Sequence, residues 1–186
     1  MPQQTKIEFL GGRVSITVGD ITRETREAIV NAANSTLTGG GGVDGAIHRV
    51  GGPRILEECL EIRRTRYRDG LPTGEAVITT AGLLPARHVI HTVGPVYGHA
   101  GGREAELLAA CYRNSLALAA ERGLASVAFP SISTGAFGYP REEAAAVASR
   151  AVAEFLKGDA RVGEVGLVFF SVGDMNAFLR NHKFEN

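Results

Sequence analysis

Charge of one sign is what this 186-residue sequence most plainly lacks: 20 Lys and Arg are balanced by 20 Asp and Glu, for a formal net charge of +0. Sequence-independent nucleic-acid binding needs a basic face, so nucleic acid is not expected as the main partner. Cysteine is almost as scarce. Cys59 and Cys111 lie far apart on helix-like stretches and form no CxxC, which leaves no disulfide framework and no zinc motif and reads as two reduced thiols. No window approaches the roughly 20 apolar residues of a membrane span. The first residues, "MPQQTKIEFL", have neither the basic region nor the apolar run of a secretory leader, and a soluble, cytoplasmic protein without membrane association is expected. Repeats, low-complexity tracts and linkers are also missing. With 44% apolar residues the chain can bury one sizeable core without oligomerising, so the expectation is one domain over residues 1–186, working as a monomer.

What is present alternates between two periods. "RVSITVGDIT" places Val14, Ile16 and Val18 on one face and Arg13, Ser15 and Thr17 on the other, the pattern of a half-buried strand. "AIVNAAN" is a second strand that stops at Asn34, shortly before four consecutive glycines. A helix follows in "VDGAIHRV", and Pro53 opens another that runs to about Arg68. "EAVITTAG" and "HVIHTVGP" read as strands; residues 103–122 put Leu107, Leu108, Cys111 and Leu118 on one helical face, with Gly123 as the stop. "SVAFPSIS" is a short strand and "TGAFGY" a glycine-bearing turn. Pro140, Glu142 and Glu143 open a helix whose buried stripe is expected to be Ala144, Val147, Ala148, Ala151 and Phe155. "EVGLVFF" suits a strand covered on both faces, and a last helix spans residues 174–182. Strands alternating with helices imply an α/β fold, a three-layer α/β/α domain.

In such a sheet ligands bind beyond the carboxyl ends of parallel strands. Asp20, Asn34 with the glycine run, "STGAFG" and the end of "VFFSVGD" meet that condition. Two glycine-bearing loops, residues 39–45 and 133–138, could hold a diphosphate between them with backbone N–H groups and no lysine; one such loop alone would serve equally as a connector. Neither matches GxxxxGK[ST] or GxGxxG, which argues against a nucleoside triphosphatase or a dehydrogenase. Asp44 and His48 are spaced i,i+4 and share a helical face. Asp44 is either a helix cap or an acid beside the anion loop, and in the second case phosphate repulsion favours a place facing a sugar or a water. Asp20 either caps the turn after its strand or accepts from an exocyclic amine. His88, His91, His99 and His182 lack metal-ligand spacing, no serine sits in GxSxG, and neither cysteine has an evident histidine partner. Covalent catalysis is not indicated.

"VNAANSTLTGGGGVDGAIHRVGG", with "GDIT" before it and "HTVGPVYG" and "SISTGAFGYP" after it, closely resembles the macrodomain family, in particular its MacroD-type branch of ADP-ribose hydrolases, over residues 7–184. The resemblance implies a mixed sheet of about six strands with an ADP-ribose cleft at the strand ends. It assigns Asp20 to the adenine amino group, with Ile21 giving a neighbouring backbone contact. Ser133, Thr134, Gly135, Ala136, Phe137 and Gly138 become the diphosphate loop, Phe137 lying against the distal ribose; Gly41, Gly42, Val43 and Gly45 become the opposing wall. Asn34 orients the distal ribose, Asp44 positions or activates a water, and His48 is its helical neighbour. The implied reaction is hydrolysis at the distal ribose, releasing ADP-ribose from mono-ADP-ribosylated acidic side chains or acetate from O-acetyl-ADP-ribose. Zinc-branch ligands are absent after Asn34, so neither metal nor cofactor is expected. An aromatic residue that covers adenine in many members aligns with Gly173, leaving Phe169 or Phe170 to supply stacking at a shifted register. The alternative activity is an ADP-ribose reader without turnover.

Overall fold

Alternating apolar positions and glycine stops divide the chain into seven strands and five α-helices, described for residues 6–185 in the computed structural model. The strands are β1 (Ile7–Phe9), β2 (Val14–Val18), β3 (Ala28–Ala33), β4 (Ala76–Thr80), β5 (His88–Val93), β6 (Ser126–Phe129) and β7 (Glu164–Phe169). The helices are α1 (Gly42–Gly51), α2 (Pro53–Thr65), α3 (Glu104–Glu121), α4 (Arg141–Gly158) and α5 (Val172–Asn181). The strands form one sheet in the order β1-β2-β7-β6-β3-β5-β4. β1 and β4 are antiparallel edges; β2, β7, β6, β3 and β5 run parallel. All five parallel strands therefore deliver their carboxyl ends to one rim, where the site is built.

Strand pleating sorts the core into two layers. Val14, Ile16, Val30, Ile90, Val127 and Leu167 face α3, α4 and α5, packing with Leu108, Leu116, Val152 and Phe178. Ile29, Ala33, Val89, Val93 and Val168 face α1 and α2, packing with Ile47, Ile55 and Cys59. Each fully buried aliphatic side chain contributes about 1.5–3 kcal/mol of hydrophobic free energy. The three-layer reading holds.

Several details differ from the sequence reading. The sheet has seven strands where about six were expected, because β1 is a three-residue edge paired to β2 and too short to show a period. The buried stripe of α4 is turned relative to expectation: Ala144, Ala148 and Ala151 are buried as expected, but Ala145, Ser149, Val152 and Leu156 complete it, while Val147 and Phe155 are only half-buried. The helix packs against α5 as well as α3, and the Ser149 hydroxyl accepts from the Lys183 N–H just beyond α5, so the covered face is turned toward α5. α5 begins at Val172, two residues early, because the Ser171 hydroxyl accepts from the Asp174 N–H and caps it. α2 stops at Thr65. Both cysteines are free and buried. No helix among the described residues is long and apolar enough to cross a membrane; the leader reading rests on residues 1–10, of which 1–5 lie outside the described residues.

Candidate functional site

Two adjoining cavities lie along the rim of strand ends. The first, about 350 Å³, is lined by Asn34, Gly40, Gly41, Gly42, Val43, Asp44, Gly94, Ser133, Gly135, Ala136 and Phe137, among others. The second, about 450 Å³, is lined by Asp20, Ile21, Val43, Arg49, Thr134, Arg141, Phe169 and Phe170, among others. Ala32, Gly42, Val43, Ser131 and Gly135 line both, so the two are halves of one cleft.

The wall between them is the start of α1. Gly41 is its N-cap and offers no side chain to the first N–H groups, so those donors and the positive end of the helix are left for an anion. Gly42 has φ +57, and a Cβ on Gly45 would sit 2.4 Å from the Gly40 carbonyl oxygen; the tight turn into α1 excludes side chains there. The facing wall is the loop after β6, closed by Gly138 N–H to Gly135 and Tyr139 N–H to Ser133. Ser133 holds the left-handed conformation at φ 66 although it is not glycine. Its hydroxyl is buried without a partner, and a Cβ on Gly94 would fall 2.2 Å from it. A strained residue with an unused buried hydroxyl at a cleft wall is the kind of feature that functional loops retain.

Asp44 sits in the first turn of α1, only 6% exposed. It is not a cap. Its Oδ1 accepts from Asn31 Nδ2 at 2.8 Å and lies 3.3 Å from His48 Nε2. Asn31 and His91 are register partners on β3 and β5, both fully buried on the α1/α2 face, and Asn31 Nδ2 is 3.1 Å from His91 Nδ1. An amide nitrogen can only donate, so His91 Nδ1 accepts and its proton is on Nε2. That N–H donates to Thr79 Oγ1 at 2.9 Å, and the Thr79 hydroxyl donates to the Thr80 carbonyl. Burial drives the His91 pKa down to about 3, so the ring is neutral and the chain keeps one direction. Asp44 is held from behind by a rigid polar chain and alongside by His48.

Asp20 faces the other half of the cleft. Its Oδ1 accepts from both the backbone N–H and the hydroxyl of Thr22, so it caps the short turn at Ile21–Arg23 while still lining the cavity. Thr22's hydroxyl bond chiefly holds its carboxyl below the usual range, with Arg23 and Arg49 adding attraction. Phe170 is 89% exposed and lines the same cavity.

The structure thus brings Asn34, Asp44, Asp20, Ile21, Gly41, Gly42, Val43, Ser133, Thr134, Gly135, Ala136 and Phe137 to the cleft. Gly45, Gly138 and His48 line neither half; Gly45 lies in the first turn of α1, Gly138 in the loop after β6, and His48 stands beside Asp44. Asn34 bridges its loop, donating to the Gly39 carbonyl and accepting from Thr36. Gly173 is absent from the lining, whereas Phe169 and Phe170 both line it, Phe169 buried and Phe170 exposed. The sequence reading missed Asn31, His91, Thr79, Arg49 and Arg141. Asn31 and His91 carried a signal, as polar residues inside otherwise apolar strands. The reading that neither cysteine has a histidine partner is corrected: Cys59 Sγ lies 3.7 Å from His91 Nε2, a neighbour supplied by folding, since 32 residues separate the two.

Comparison with known proteins agrees with this fold. The family model described as Macro domain matches residues 30–148. A Streptomyces griseus relative, a Macro domain-containing protein, is 60% identical over 139 residues, 75% of this chain and 78% of that protein. A Citrobacter rodentium relative named O-acetyl-ADP-ribose deacetylase is 52% identical over 147 residues, 79% of this chain and 82% of its own length. The solved structure of the Oceanobacillus iheyensis macrodomain with ADP superposes with a TM-score of 0.91 at 47% identity, over 96% of this chain and 94% of that one.

Proposed function

The chain belongs to the Macro domain family, and from that premise we propose that it binds ADP-ribose and hydrolyses esters at the distal ribose. The observation that carries the proposal is the Asp44 carboxylate, lining the 350 Å³ half of the cleft and braced by Asn31 and His48. The relative named a deacetylase and the solved structure with ADP support the ligand class.

In this reading adenine lies in the 450 Å³ half, its amino group donating to Asp20 and its ring against the exposed Phe170. The diphosphate rests between the N–H groups at the start of α1 and the 133–138 loop. The distal ribose then occupies the half lined by Asn34, Asp44 and Phe137. A water held between a phosphate oxygen and Asp44 attacks the ester; Asp44 takes its proton, and the glycine N–H groups bear the developing charge. The acyl–oxygen bond breaks as Asp44 passes that proton to the departing ribose oxygen, leaving ADP-ribose, a carboxylic acid and the Asp44 carboxylate restored. A carboxylate is tolerated near the phosphates because it faces the sugar and the water. The substrates are O-acetyl-ADP-ribose and mono-ADP-ribosylated proteins, handled by a monomer of one domain without metal or cofactor.

The test is incubation of the protein with an acidic-residue-linked mono-ADP-ribosylated protein and with O-acetyl-ADP-ribose, alongside Asp44→Ala. Release by the wild type and loss of about 10²–10⁴-fold in the variant, with ADP-ribose still bound by both, is the expected result. Binding without release by either protein would make the chain an ADP-ribose reader.

A further inference from the structure

The polar chain behind Asp44 includes a group that the proposed reaction does not use. His48 of α1, Cys59 of α2 and His91 of β5 each present one donor atom, and these atoms all lie within 4.8 Å of one another. Asp44 adjoins them through His48. We propose that this cluster is an inhibitory binding site for a thiophilic divalent cation of the zinc class.

The donor set selects the cation. One thiolate and two imidazoles suit Zn²⁺, Co²⁺ or Cd²⁺ and not Mg²⁺ or Ca²⁺. Tetrahedral coordination at ordinary bond lengths spaces such donors about 3.3–3.7 Å apart, and the Cys59 Sγ to His91 Nε2 distance is already 3.7 Å. Cys59 and His91 are buried and His48 is half-buried, so His48 is the member that moves to close the set and the side from which the cation arrives. Charge balances as well. The Cys59 thiolate and the Asp44 carboxylate together neutralise a divalent ion. Without a cation the thiol stays protonated, pushed up to about 12 by burial first and then by Asp44 and Glu58.

Binding has a defined proton balance. Cys59 releases its proton to solvent, and His91 exchanges its Nε2 proton for one on Nδ1. The new Nδ1–H needs an acceptor, and the Asn31 Oδ1 is buried with no partner; turning that amide end for end supplies it. The turn withdraws the 2.8 Å bond from Asn31 to Asp44, while the cation takes His48. Both supports of Asp44 go at once, so the bound form is inactive. This consequence rests on the role given to Asp44 above; the binding itself does not.

Co²⁺ titrated into the full chain tests the site directly, using wild type, Cys59→Ala, Cys59→Ser and, as the control outside the cluster, Cys111→Ser. Expected are a thiolate-to-cobalt charge-transfer band in the near ultraviolet, strong tetrahedral visible bands and proton release, in wild type and Cys111→Ser. Cys59→Ala and Cys59→Ser lose the charge-transfer band and bind about a hundredfold or more weakly. No band in the wild type, or a band that survives in either Cys59 variant, overturns the site. Zn²⁺ should then suppress ester turnover of the wild type, reversibly by chelator, at concentrations that leave Cys59→Ala active; equal sensitivity overturns the inhibition. A chain without any turnover refutes the hydrolase reading and leaves the cobalt spectrum to decide the site.

Discussion

The two halves of the cleft are made of different material. The half containing Asp44 is backed by the buried side chains of Thr79, His91 and Asn31, each fixed by the next and the first anchored on the Thr80 carbonyl. The half containing Asp20 is bounded by an exposed aspartate on a short turn and by Phe170, 89% exposed. One end has paid in buried polar groups for a fixed carboxylate; the other offers surface that a ligand can cover. Under the proposed function, the difference implies a division of labour in which the buried end serves turnover and the exposed end serves affinity.

That division can be broken from either side, and the largest effect is expected from the buried end. Asn31→Ala removes the bond that orients Asp44 and should lower turnover about a hundredfold, the scale of a misplaced catalytic group, with little change in ADP-ribose affinity; steady-state kinetics and calorimetric titration measure both. The same network sets acid stability. His91 has a folded pKa of about 3 against an ordinary 6.5, so the unfolded chain takes up a proton that the folded chain refuses. Stability from this group is therefore complete above pH 6.5 and falls as pH drops toward 3, by up to about 1.4 kcal/mol per unit. Urea unfolding between those limits should show the slope, and His91→Gln should flatten it.

Smaller effects are expected from the exposed end. Phe170→Ala should weaken ADP-ribose binding about tenfold, the scale of one base–aromatic stack, and leave the rate at saturating substrate unchanged. Asp20→Asn keeps an oxygen for the Thr22 bonds, so the turn survives and only the charge is lost; a few-fold loss of affinity in calorimetry, about 0.5–1 kcal/mol, is expected. If Phe170→Ala lowered the saturated rate as much as the affinity, the two ends would not be separable.

Much of this was legible in the chain because it rests on short-range patterns. Period-two strands, glycine stops and the i,i+4 placement of Asp44 and His48 appear within windows of a few residues, and they sufficed for the layers and for both cleft loops. The edge strand β1 is hidden because three residues cannot display a period, and the α4 stripe differs because α5 and the residues after it cover a flank that periodicity assigns to solvent. The network behind Asp44 was hidden for a deeper reason. Asn31, Thr79, His91 and Cys59 meet only through strand register and the packing of α2 on the sheet, and a lone polar residue in an apolar strand does not reveal its partner. Gly173 lies outside the cleft for a related reason: the cap at Ser171 starts α5 early, which puts Gly173 inside the helix and leaves Phe170 exposed beyond β7.

The central claim is that the buried end supplies a proton acceptor and not a binding contact. Asp44→Asn tests it most directly, because the substituted amide keeps an oxygen for Asn31 and a similar volume while losing the charge. In single-turnover hydrolysis of O-acetyl-ADP-ribose the account predicts a rate at least about a hundredfold slower than wild type, with ADP-ribose bound equally well. A variant that hydrolyses the ester at the wild-type rate would contradict it.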